Sequence, residues 1–307
     1  MKQLMLSLLG TRAGAVVKPL ARTVVYGSLG TVTAGRRRWT KWAFARRHRD
    51  VQRRRIEIAR QATASDADTA ALRREGFLPW TSRLDAAALS ELQQDVKAWD
   101  ERAGQSKDFF KTLNAAAGLT RESAAVRLAL DPRVIATAMA YFGEVPYLLS
   151  IDIIKSVRTA SAPNWKKSQL WHKDHNDSRL LKLFIYLNDV DAGNGPFTFV
   201  PARFGAQQRM PYHPVHKRDD VVARHLGTGD FQQDVIGPAG TAFLIDTAKL
   251  LHRGSRIETD RHRLVYVATF TTFAQLVPRD NTISVDADAL PEVERLLLRK
   301  TPAPVRT

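Results

Sequence analysis

The chain has 307 residues, which suits one large domain or one domain with an appendage. A hydrophobic share of 44% is enough for a substantial core and excludes a wholly disordered chain, while the absence of cysteine excludes disulfides, thiolate zinc sites and cysteine nucleophiles. The net charge is +16, but residues 1–60 carry +13 of it, so the basic character belongs to an N-terminal arm rather than to a nearly balanced body.

The arm has no acidic residue before Asp50. "MKQLMLSLLG" begins like a signal peptide, yet its apolar run stops at Gly10 and Arg12, well short of the roughly 20 residues of a spanning helix. "GRRRWTKWAFARRHRDVQRRRIEIARQ" then interleaves Trp39, Trp42 and Phe44 with arginines. A stretch without Gly or Pro from about Trp39 to Gln61 predicts a helix. Four readings compete for it: contact with an anionic membrane surface, an Arg-rich organellar presequence, phosphate contacts to nucleic acid, or a solvated arm that packs a few aromatics on its own domain.

"ATASDADTAA" (62–71) is small and polar and reads as a hinge, and Gly76 in "LRREGFLPW" as a helix end before a short extended segment. "SRLDAAALSELQQDVKAWDERAG" predicts a helix capped by Asp85, with apolar positions at Leu89, Leu92, Val96 and Trp99 and a stop at Gly104. "TRESAAVRLALDPRVIATAMAYFG" predicts two helices broken at "DPR". After Pro146 the pattern changes. "YLLSIDIIKSV", "LLKLFIYLNDV", "PFTFVPA", "TAFLIDT" and "RLVYVATFTTF" read as strands separated by turns such as "DAGNGP" and "GPAG". No helix alternates with them, so the expected fold is mainly β, an antiparallel sandwich or open barrel with helices ahead of it. The segment 205–235 is long for a connection and is expected to cover a substrate.

"QLWHKDHNDSR" (169–179) crowds two histidines and two aspartates together. In an extended segment residues i and i+2 share a face, so His172 and Asp174 would present an imidazole and a carboxylate side by side. His252, just after the strand in "FLIDTAKLLHRGS", supplies a second imidazole and completes a 2-His-1-carboxylate set suited to Fe(II). The pair alone says little, since His48 and Asp50 show the same spacing, but that copy lies in an arginine-saturated helix where i and i+2 diverge. His175 and Asp177 are expected as loop or supporting groups, and His213 and His216 as exposed. Arg263 leads the strand face Arg263, Val265, Val267 and Thr269 and is the expected partner for a cosubstrate carboxylate, with Arg261 as runner-up. Lys182 and Tyr186 share one face of "LLKLFIYL".

His172-x-Asp174, His252 and Arg263 eleven residues later resemble the phytanoyl-CoA dioxygenase-like group of Fe(II)/2-oxoglutarate oxygenases. So do "REGFL", "LLKLFIYLNDVDAGNGPFTFVPARF" and "TAFLIDTAKLLHRGS". The resemblance spans about 70–285 and implies a double-stranded β-helix (jelly-roll, cupin-like) core with helices outside. It also implies Fe(II) on His172, Asp174 and His252, with 2-oxoglutarate and O2 as cosubstrates and Arg263 on the far carboxylate. Lys155, on the strand before the ligand loop, is expected toward cosubstrate or substrate. Relatives often read His-Gly-Ser after the last ligand. Here Arg253 intervenes and Ser255 falls one place late. Related halogenases replace the carboxylate ligand with a small residue, so Asp174 favours hydroxylation. The resulting division is an arm at 1–62, an oxygenase domain at 63–285 and a C-terminal helix and tail at 286–307. The expected partner is a small-molecule or lipid-linked substrate, not nucleic acid. The expected location is cytoplasmic, with a peripheral membrane contact or presequence left open. The competing reading is a non-catalytic scaffold on the same fold, held at a membrane or nucleic acid by the arm.

Overall fold

A computed structural model describes residues 39, 42–102, 109–116, 118–158, 162–175, 177–211, 214–227, 230–272, 283 and 290–298. The expectations for the first 38 residues, Gly104 and His213 lie outside these.

Residues 42–47 are helical, and after a turn at His48 helix α1 runs Arg49–Arg60. The segment read as a hinge is instead largely helix α2, Asp66–Glu75, because the Ser65 hydroxyl accepts from Asp68 N–H as an N-cap and Gly76 closes the helix at φ 71°. Small polar residues that look like a linker are also good capping residues, and here the second role prevails. Strand β1 (Phe77–Pro79) leads to α3 (Ala86–Arg102), capped as expected by Asp85, whose carboxylate accepts from Ala87 and Ala88 N–H. Short β2 (Phe110–Thr112), which the sequence did not announce, precedes α4 (Ala124–Ala129) and α5 (Pro132–Phe142). Asp131 caps α5 and Pro132 stands in its first turn, which is why "DPR" separates the two helices.

The strands that follow are β3 (Tyr147–Val157), β4 (Leu180–Tyr186), β5 (Phe197–Phe199), β6 (Gln233–Val235), β7 (Ala242–Asp246), β8 (His252–Arg253) and β9 (His262–Thr271). Helix α6 (Asp219–Leu226) lies between β5 and β6, and α7 (Glu292–Leu298) follows β9. A six-stranded antiparallel sheet has the order β1-β7-β4-β9-β3-β2, and a smaller sheet the order β6-β5-β8. This is the double-stranded β-helix architecture, two sheets of a jelly roll with helices packed outside.

Strand alternation divides the core in two. Leu181, Leu183, Ile185, Leu244, Tyr266, Ala268 and Phe270 pack with the helices. Phe184, Tyr186, Phe243, Ile245, Val265 and Val267 face Phe197 and Phe199 of the small sheet. The site lies at the rims of this second, interior layer.

The end of the arm is docked on the body. Arg55 is 1% exposed, donates to the Val145 and Leu296 carbonyls and lies over the Tyr147 ring at 3.5 Å. Arg54 pairs with Glu292 of α7.

Candidate active site

His172 and His252 come together through backbone. They form an antiparallel bridge in which each N–H donates to the other's carbonyl at 2.9 Å. The ligand segment is therefore extended but belongs to no regular strand. Asp174 N–H donates to Thr247 O at 2.9 Å, which sets the carboxylate beside the imidazoles. Asp174 Oδ1 lies 3.9 Å from His172 Nε2, and Oδ2 lies 3.9 Å from His252 Nε2. Ligand atoms of the three residues lie within 4.8 Å of one another, and no other such His/Cys/Asp/Glu group occurs among the described residues. Adjacent ligands at metal bonds of about 2.1 Å lie ~3 Å apart, so the three side chains converge on one point and would draw in by about an ångström around an ion.

The imidazoles are prepared as ligands. His172 Nδ1 meets the Leu170 carbonyl at 2.8 Å and His252 Nδ1 the Leu250 carbonyl at 3.0 Å, which leaves Nε2 of each toward Asp174. Burial pushes both histidines down, His252 to about 3 with His172 adding to the effect. Burial alone would raise the Asp174 carboxyl. The Lys182 ammonium, 2.7 Å from Oδ2, and the two histidines outweigh it and hold the carboxyl far below its usual range. Near neutral pH the site therefore offers two neutral imidazoles and a carboxylate, a donor set that fits Fe(II).

One expected result follows for pH. An unfolded imidazole takes up its proton near 6.5. Both histidines are held below that value in the folded chain, so their neutral form persists as pH falls through 6.5. Mn(II) affinity should fall less between pH 8 and 6 than the roughly sixteenfold that two unperturbed imidazoles would lose to protons. Manganese EPR titration at the two pH values measures this. The unfolded state binds more protons than the folded state below pH 6.5, so folding stability declines as pH falls toward the depressed values.

Arg263 lies just beyond the last ligand, where a Cβ on Gly254 would meet its Nη1 at 3.2 Å. It is 5% exposed, with Nη1 donating to Gly195 O at 2.8 Å and Nη2 to Ser255 Oγ at 2.7 Å. Its Nε is buried without a partner among the described residues. Ser255, one place late in sequence, reaches the arginine because its backbone sits at φ 61°, and it also bonds Ser156 Oγ at 3.0 Å. Gly195, read from sequence only as part of a turn, supplies the other carbonyl. It stands at φ 64°, and a Cβ there would meet Arg256 backbone at 2.6 Å, so only glycine fits. Tyr186 flanks the arginine, donates to Val235 O at 2.7 Å and accepts from Phe197 N–H at 3.0 Å.

The large sheet is a floor whose rows can be read from its register. Ser156 pairs with Arg263, Ile154 with Val265 and Asp152 with Val267. Ser150 and Lys182 both pair with Thr269, from opposite sides. The floor thus runs from a polar row at Arg263, over Val265, Val267, Phe184 and Ile154 with Asp152 at their edge, to a second polar row at Lys182, Thr269 and Ser150. Six residues separate Arg263 from Thr269, about 20 Å at strand rise.

Lys155 does not join this floor. It alternates with Ile154 and Ser156, shares the helix-side face with Ile151 and Ile153, and pairs with Asp100 of α3. Its expected contact with cosubstrate or substrate is corrected on that geometry. Arg261 is exposed and paired with Asp191, and Arg256 is paired with Asp219. His48 and Asp50 lie at the start of α1, away from the triad. His216 is exposed as expected, yet its ring centroid is 5.2 Å from that of His172, so the connection between β5 and β6 does reach the mouth of the site. A cleft of about 570 Å³ lies nearby, lined by Trp165, Leu170, Arg218, Asp219 and Arg256, and no triad ligand lines it.

Asp177 is neither a solvated carboxylate nor a partner of a ligand imidazole. It is 3% exposed and accepts from Thr272 N–H at 2.7 Å, Thr272 Oγ1 at 2.6 Å and Ser178 N–H at 2.6 Å, which ties the ligand loop to the end of β9. Asp177→Ala strands these donors and should cost roughly 2–4 kcal/mol of stability in a denaturant titration.

With the fold and site in place, comparison with known proteins is decisive at family level. The model of the phytanoyl-CoA dioxygenase family matches residues 72–265. The chain belongs to the phytanoyl-CoA dioxygenase family. It is accordingly an Fe(II)- and 2-oxoglutarate-dependent oxygenase with O2 as the other cosubstrate. No curated protein matches it. Among solved structures, the epimerase SnoN in complex with Fe3+, alpha-ketoglutarate and nogalamycin RO is 19% identical, with a TM-score of 0.49 over 68% of this chain and 84% of that one. EctD from S. alaskensis with 2-oxoglutarate and 5-hydroxyectoine is 18% identical, with a TM-score of 0.49 over 78% and 85%. HygX from Streptomyces hygroscopicus with nickel and 2-oxoglutarate is 16% identical, with a TM-score of 0.47 over 68% and 88%. Likenesses this distant carry nothing about substrate or reaction outcome.

Proposed function

We propose that this phytanoyl-CoA dioxygenase-family protein hydroxylates an unactivated C–H bond of a small-molecule or lipid-linked substrate. The observation that carries the reading is the complete His172, Asp174 and His252 set, with a carboxylate where a halide-binding site would need a small side chain. These three residues would hold the iron. Arg263, with Ser255 and Tyr186 beside it, would hold the far carboxylate of 2-oxoglutarate. The bound iron supplies the oxygen activation that is coupled to conversion of 2-oxoglutarate to succinate.

The chain's own part is placement and exclusion of water. Arg263 is itself buried beside Val265 and Tyr186, so its guanidinium would meet a carboxylate with little competition from water. Lys182, Thr269 and Ser150 sit on the Asp174 side of the floor and would contact the substrate, which favours one with polar groups near the bond attacked. Fe(II)-dependent release of succinate from 2-oxoglutarate tests the oxygenase reading. Mass spectrometry of substrate incubated under 18O2 tests hydroxylation, with one labelled oxygen expected in the product. Product without the label would mean a different outcome at the same iron. A scaffold would show neither succinate nor a shift in melting temperature with Mn(II) and 2-oxoglutarate.

A further inference from the structure

The arm is not absorbed by the oxygenase chemistry, and the structure divides its final helix into two faces. The inner face is committed to the body through Arg55, Ala59 and the Arg54–Glu292 pair. The outer face carries Arg49, Arg53 and Arg60, and the segment before it carries Trp39, Trp42 and Arg46, all six exposed. At 100° per residue Arg49, Arg53 and Arg60 of α1 fall within an arc of roughly 40°. Only three large hydrophobic side chains are exposed among the described residues, and Trp39 at 66% and Trp42 at 56% are two of them. Arg46 lies over the Trp42 ring at 5.3 Å. Among the described residues none of these four arginines has an ion-pair partner. Of the acids on the same helix, Glu57 is taken up by Arg54, and Asp50 remains.

We infer that this face docks on an anionic lipid surface. Two indoles at one end of a row of guanidiniums match the two layers such a surface offers: indoles enter the interface between headgroups and acyl chains, and arginines meet phosphates. A nucleic acid would use the arginines but gives no reason for two exposed indoles. Because α1 is fixed to the body by the buried Arg55, docking through Arg49, Arg53 and Arg60 brings the whole domain to the membrane. No helix among the described residues is long and apolar enough to cross a membrane, so the contact is peripheral.

The test is co-sedimentation of the full chain with phosphatidylcholine vesicles, with and without 30% phosphatidylglycerol. Binding should be at least tenfold tighter to the anionic vesicles and should weaken in 0.5 M salt. Each arginine near the surface contributes about fivefold, so the triple variant Arg46→Gln, Arg49→Gln, Arg53→Gln should bind about a hundredfold more weakly. The pair Trp39→Ala, Trp42→Ala should bind at least tenfold more weakly and lose a blue shift in tryptophan emission that the parent shows on binding. All six side chains are exposed, so melting temperatures should match the parent, and the Trp pair serves if the arginine triple misfolds. Equal binding to neutral vesicles overturns the proposal. So does undiminished binding by both variants, which would place the contact in residues 1–38, or displacement of the vesicles by duplex DNA at equal charge.

Discussion

Asp174→Ala should reduce Fe(II)-dependent succinate formation by at least a thousandfold and weaken Mn(II) binding by at least a hundredfold. The site's two imidazoles are neutral and carry no charge toward the ion, so Asp174 is the only anionic ligand of the triad. Its removal also leaves the Lys182 ammonium, now without the carboxylate it meets at 2.7 Å, facing the vacated position. The ion then meets a cation where it met an anion, in surroundings of reduced dielectric. A His172→Ala variant loses a neutral donor and introduces no such repulsion, so it should bind metal less poorly than Asp174→Ala. Manganese EPR titration ranks the two, and the succinate assay follows turnover. Retained turnover in Asp174→Ala would remove the triad from the chemistry. Equal metal affinity in the two variants would remove Lys182 from the account of why the carboxylate matters most. Asp174→Ala also leaves a half-buried ammonium unpaired, so the metal-free variant should melt below the parent.

What the sequence revealed about this site followed from strand alternation, and what it hid followed from turns and long-range pairing. Strands β3, β4, β7 and β9 are long enough for alternation to declare both their existence and their faces, and Arg263, Val265, Val267 and Thr269 do share the interior. The segments β6 and β8 are two or three residues long, with Gln233, Asp234 and Arg253 among them, too short and too polar to register. Treating their segment as a strand finds His172 and Asp174, yet it is isolated bridges of Trp171 to Lys217 and His172 to His252, with a bond to Thr247, that hold it. The same parity applied to β3 would have turned Lys155 outward, since Ile151 and Ile153 share its face, but nothing local marks Asp100 as its partner. Ser255 was set aside for its spacing, and a positive φ, unusual for serine, restores it to the arginine. Asp177 looked like one more polar loop residue because its donors come from Thr272, 95 residues on.

Replacing Arg263 tests the cosubstrate contact, and here binding and turnover should part. Arg263→Lys should raise the KM for 2-oxoglutarate by about a hundredfold or more, with a smaller change in kcat once the cosubstrate saturates. A guanidinium presents a planar fork of donors, and this one uses Nη1 on Gly195 O and Nη2 on Ser255 Oγ for orientation while Nε remains without a partner. An ammonium has three donors on one atom and cannot hold both anchors and still offer a paired contact to a carboxylate. Loss of one bidentate, charge-assisted contact in a buried site is worth about 3 kcal/mol, which converts to roughly a hundredfold in affinity. Arg263→Met separates this from folding. Burial already pushes the guanidinium down from its ordinary value, with Tyr186 opposing that shift, so a methionine of similar length removes a desolvated charge from the core. The Met variant should therefore unfold cooperatively, with Mn(II) affinity close to the parent's, since the bonds of Arg263 go to Gly195 and Ser255 and to no triad ligand. The same protein should show no rise in melting temperature with 2-oxoglutarate at concentrations that stabilise the parent. A Met variant that bound 2-oxoglutarate normally would make Arg263 a core residue with no role in cosubstrate binding. One that lost manganese as well would mean that the Gly195–Ser255 clasp around Arg263 also sets the position of His252, three residues before Ser255.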